Sequence, residues 1–90
     1  MNIPKTLKIG AHKYRVLLVD EVDPEGNVGE CCASDLTIKI NKNQADSQIA
    51  ETLLHEIIHA SDAHLTEAQV DRLGHILLQV ILDNKLDFLS

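Results

Sequence analysis

The sequence predicts an α+β fold: a small, mainly antiparallel sheet of three or four strands, followed by two helices packed on one face. Three observations carry this. Apolar and polar residues alternate in the first half, the period of half-buried strands. From Ile49 onward apolar residues recur every three or four positions, the period of a helix. The 90 residues, 44% hydrophobic and 24% charged, are enough for a single globular domain over 1–90.

The elements follow in order. Lys5 to Ile9 alternates and reads as a short strand, with Pro4 before it, where a missing N–H is tolerated. Gly10-Ala11 is a turn, and His12 to Asp20 a longer strand around Tyr14, Val16 and Leu18. Asp23-Pro24-Glu25-Gly26-Asn27 is dense in turn formers. The acidic residues Asp20, Glu21, Asp23 and Glu25 read as a solvated loop. Val28 to Ala33 gives a third strand and Ser34-Asp35 a tight turn. Leu36, Ile38 and Ile40 then alternate with Thr37, Lys39 and Asn41, as in a strand with one face on a core. Asp46 or Ser47 can cap a helix running to about Ala60, with Ile49, Ala50, Leu53, Leu54, Ile57 and Ile58 as its apolar rows. After a break at Ser61 to Leu65, Thr66 with Gln69 forms a capping box. The second helix runs to about Asn84, with Val70, Leu73, Leu77, Val80 and Ile81 on its apolar side.

Composition excludes several functions. A net charge of -6 argues against nucleic acid as a partner. Tyr14 and Phe88 are the only aromatic residues of the 2% present, so bases have almost nothing to stack on. No apolar run approaches the roughly 20 residues that span a bilayer, and the first residues carry no signal-peptide core, so no membrane is expected. Cys31 and Cys32 are adjacent; on a strand they point to opposite faces, which disfavours a disulfide between them. The expected location is cytoplasmic. Nothing in the sequence fixes an oligomeric state.

His55-Glu56-Ile57-Ile58-His59 carries the chemistry. On a helix, residues four apart share a face one turn from each other. Both imidazoles can reach one Zn²⁺, and Glu56, turned to the side of that pair, can take a proton from a metal-activated water. A catalytic zinc site has three protein ligands, so a third is needed. The downstream candidates are His64, Glu67, Asp71 and His75. If the helices form a tight hairpin, Glu67 can face the two histidines across it. Asp71, one turn on, would then hydrogen-bond a histidine ring or the ligating carboxylate. Gly74 would let the helices approach closely. Tyr14, His12 and His64 are possible oxyanion donors, although the alternation of Tyr14 with Val16 and Leu18 suits a core position better.

His55-Glu56-x-x-His59 followed by Glu67-Ala68-Gln69-Val70-Asp71 resembles the zincin pattern with a Glu-x-x-x-Asp/Asn second helix. It is similar to the ImmA/IrrE-type metallopeptidases, in particular the small single-domain versions encoded by phages and prophages. The resemblance covers roughly positions 27 to 85 and departs from the pattern of larger members at Ile58, where they often have glycine. It implies a minimal zincin-like fold, with His55, His59 and Glu67 as Zn²⁺ ligands, Glu56 as general base and Asp71 as the supporting acid. The expected function is zinc-dependent hydrolysis of a peptide or protein substrate, held as an added strand along Val28 to Ala33. Two other readings are open. One is a metal-stabilised binding module with a zincin fold and no turnover. The other is a metal-free adaptor of a toxin–antitoxin or repressor system.

Overall fold

The computed structural model describes residues 3–86, so Phe88 lies outside it. Four strands, β1 (Thr6–Ile9), β2 (His12–Val19), β3 (Gly29–Cys32) and β4 (Thr37–Asn41), precede α1 (Asp46–Ser61) and α2 (Glu67–Asp83). The fold is α+β, as expected. The sheet is mainly antiparallel, as expected, but one of its three pairings is parallel. Its order is β1-β2-β4-β3. β1 pairs antiparallel with β2 and β3 with β4, but β2 and β4 run parallel, with Val16 opposite Ile38. The loop between Asp20 and Val28 is the physical reason. It is long enough to carry the chain past the slot beside β2, so β3 takes the outer edge and the following hairpin returns β4 to the middle.

α1 covers one face of this sheet and α2 packs against α1. Tyr14, Val16, Ile38 and Ile40 meet Ile49, Ala50, Leu53 and Leu54 of α1, and Leu78 and Ile81 of α2 close the same cluster. Tyr14 is thus a core residue. Cys31 packs against that core while Cys32 lies near Ser34 and Asp35; both are free thiols. Asp23 closes its loop by accepting from the backbone and side-chain amides of Asn27 at 3.1 and 2.7 Å.

Three local expectations change. Leu36 belongs to the β3–β4 turn, with φ of 53°, and not to the strand. The N-cap of α1 is Ala45, which has no side-chain acceptor; Gln48 Oε1 instead accepts from its N–H at 3.0 Å. Asp46 then falls in the first turn, where its charge suits the helix dipole. The buried row of α2 is Val70, Gly74, Leu78 and Ile81, whereas Leu73, Leu77 and Val80 are exposed. The Thr66–Gln69 capping box is present, at 3.1 Å from Gln69 N to Thr66 Oγ1 and 2.9 Å from Thr66 N to Gln69 Oε1. Among the described residues, no helix is long and apolar enough to cross a membrane.

Candidate metal centre

The helices form a hairpin because the links between them are short and locally tied. Asp62 ends α1 with its N–H on Ile58 O at 3.0 Å, and its carboxylate accepts from His64 N at 3.0 Å. Thr66 then starts α2. The return brings one row of each helix face to face: Glu51, His55 and His59 on α1 against His75, Asp71 and Glu67 on α2.

His55, His59 and Glu67 converge at the end of this row nearest the connecting loop. His59 Nε2 is 2.7 Å from Glu67 Oε1, His55 Nε2 is 3.3 Å from Glu67 Oε2, and the two Nε2 atoms are 3.1 Å apart. Ligand atoms about 2.05 Å from a tetrahedral ion lie about 3.3 Å from one another, so the spacing fits Zn²⁺ with little adjustment. The donor set, two imidazoles and a carboxylate, is also one that zinc takes at catalytic centres. This is the one cluster of its kind among the described residues.

Asp71 Oδ1 lies 3.0 Å from His55 Nδ1. A proton on Nδ1 donated to that carboxylate leaves the Nε2 lone pair facing the cluster, the tautomer that a ligand needs. The remaining candidates lie apart from it. His75 pairs with Glu51 at 2.8 Å, one turn further along the hairpin. His64 is exposed in the connecting loop, and His12 is exposed at the start of β2.

Glu56 is unusual for a carboxylate: only 6% of its surface is exposed. Burial pushes its pKa up to about 7, the Glu67 and Glu30 charges push the same way, and nearby His59 opposes them. It is seated against the sheet by Gly29. A Cβ at that position would lie 2.5 Å from Thr52 Cγ2 and 2.8 Å from Glu56 Oε2. Gly29 is the site residue that sequence reasoning missed. Its place after the turn-rich loop marks a strand start, but nothing local reports a helix carboxylate lying on its Cα. Gly74 is the opposite case: a Cβ there would meet the His55 backbone at 3.8 and 3.9 Å, ordinary contact, so the helix approach does not require glycine.

The centre opens into a groove of about 620 Å³ lined by His55, Glu56, His59 and Glu67 on one side and by Asn27, Val28 and Gly29 on the other. β3 is an edge strand, so its outer side faces away from β4 beside this groove. Comparison with protein-family models, curated proteins and solved structures gave no match.

Proposed function

We propose that the chain is a zinc-dependent metalloendopeptidase that cleaves extended peptide segments, with His55, His59 and Glu67 as ligands and Glu56 as general base. One observation carries the reading. Three donor atoms from two helices sit at the spacing of tetrahedral ligands, and a buried carboxylate outside that trio lines the same groove. The resemblance to ImmA/IrrE-type enzymes of phages belongs to the same proposal. So does a cytoplasmic site of action, which two free thiols favour.

A bound Zn²⁺ supplies Lewis-acid polarisation of the scissile carbonyl and a lower pKa for the attacking water. The chain's own residues do the rest. Glu56 takes the proton of that water on its carboxylate and delivers it to the leaving amine. Asp71 holds His55 in its ligating tautomer. The free edge of β3 offers backbone groups to an extended substrate, which pairs as an added strand with alternate side chains towards the groove.

The test is cleavage of an unfolded protein carrying quenched fluorophores, by zinc-loaded wild type and Glu56→Gln. Wild type should cleave it. The variant should keep its zinc and lose on the order of 10² to 10⁴ in rate, the usual contribution of a general base. If both bind zinc and neither cleaves, the chain is a metal-stabilised binding module. If both cleave equally, Glu56 is not the base.

A further inference from the structure

The core uses Val70, Gly74, Leu78 and Ile81 of α2, which leaves a second apolar row on that helix outside it. Leu73, Ile76, Leu77 and Val80 are 42%, 52%, 43% and 40% exposed. At 3.6 residues per turn they form one stripe, about 100° round the helix from the buried row. Together they make one exposed apolar patch, a feature that often marks an interaction surface. A helix with apolar residues on two sides has one face too many for the fold it belongs to.

We propose that this stripe is a homodimer interface, in which α2 packs antiparallel on α2 of a second copy about a two-fold axis passing between Ile76 and Leu77. The stripe reads the same in both directions: Leu73 comes level with Val80 of the second copy, and Ile76 with its Leu77. The charges select the same arrangement. Arg72 and Asp83 lie on one edge of the stripe, towards its two ends. An antiparallel pairing brings each Arg72 within about 3 Å, along the axis, of Asp83 of the other copy. A parallel pairing sets the matching edges on opposite sides and offers Arg72 no such acid. Among the described residues Arg72 has no ion-pair partner, and Asp83 accepts only from Gln79 of its own helix, at 2.9 Å.

The pairing leaves both metal centres open. Glu67 and Asp71 lie about 130° and 170° round α2 from the stripe. Gln69, Arg72 and Asp83 form the polar rim of this small interface.

Sedimentation equilibrium of the full chain from about 1 to 500 μM tests this. Wild type should pass from monomer to dimer. Ile76→Asp should weaken association at least tenfold with an unchanged circular dichroism spectrum, because the side chain it replaces is exposed. Arg72→Asp and Asp83→Arg should each weaken it several-fold, and the double variant should return close to wild type. A wild type that stays monomeric throughout overturns the proposal, since the stripe then serves some other partner. A dimer indifferent to Ile76→Asp also overturns it, and so does a double variant no better than the single ones.

Discussion

A methyl group has room at one of the two glycines that touch the site and not at the other. At Gly74 the nearest atoms stand 3.8 Å from where a Cβ would lie, so Gly74→Ala should gain the roughly 0.5–1 kcal/mol that alanine brings to a helix interior. At Gly29 the distances of 2.5 and 2.8 Å cannot be kept. Gly29→Ala should cost about 1–3 kcal/mol by overpacking and displace Glu56, so hydrolysis should fall further than zinc binding. Denaturant titrations of both variants, with zinc content and rate measured beside them, check this pair. Glu56 gives a second prediction. In the metal-free fold it titrates near 7, against an ordinary value of 4.5. Between those values the folded chain holds a proton that the unfolded chain has released, so its contribution to stability falls as pH rises and is lowest above 7. Glutamine cannot ionise. Glu56→Gln should therefore leave the chelated protein's thermal midpoint unchanged near pH 4 and raise it by several degrees at pH 8. An equal midpoint at pH 8 would mean that the carboxylate is better solvated than its burial indicates.

Helix geometry is local, and that decided what could be read from the sequence at the scale of elements. His55 and His59 share a face because they are four apart, and Thr66 with Gln69 marks a helix start wherever it occurs. Glu67 and Asp71 could face the histidines only if the short link made a tight hairpin, which it does, and the resemblance rather than geometry chose Glu67 over His64. The parallel pairing of β2 with β4 was not legible, since alternation says which face a residue occupies and nothing about which strand lies beside it. The buried row of α2 was misread for a related reason. Its apolar residues cover more than one face, and only packing against α1 selects Val70, Gly74, Leu78 and Ile81. The capping box that starts α2 also holds Glu67 in its first turn. Thr66→Ala should cost about 1 kcal/mol of stability and should weaken zinc binding too, because a frayed first turn lets the third ligand drift. Calorimetric zinc titration of this variant separates the two effects; zinc affinity equal to wild type would mean that Glu67 does not depend on the cap.

The molecule as a whole has a thin, mostly aliphatic core joined to a polar hairpin, and an ion bound across that hairpin would tie α1 to α2. A ligand held only by the native state raises its stability in proportion to the logarithm of its concentration over Kd. Zinc should therefore raise the thermal midpoint by several degrees, and chelation should reverse the gain. Zinc binds only neutral imidazoles, so it competes with protons and its affinity should fall as the solution is made acid. The claim at the centre of the account is the ligand set itself. Zinc X-ray absorption on the protein loaded with one equivalent at neutral pH tests it most directly. The account predicts one zinc per chain, with two imidazole nitrogens and oxygen in its first shell and no sulfur. No tightly held zinc, or a first shell containing the thiolates of Cys31 or Cys32, would contradict it.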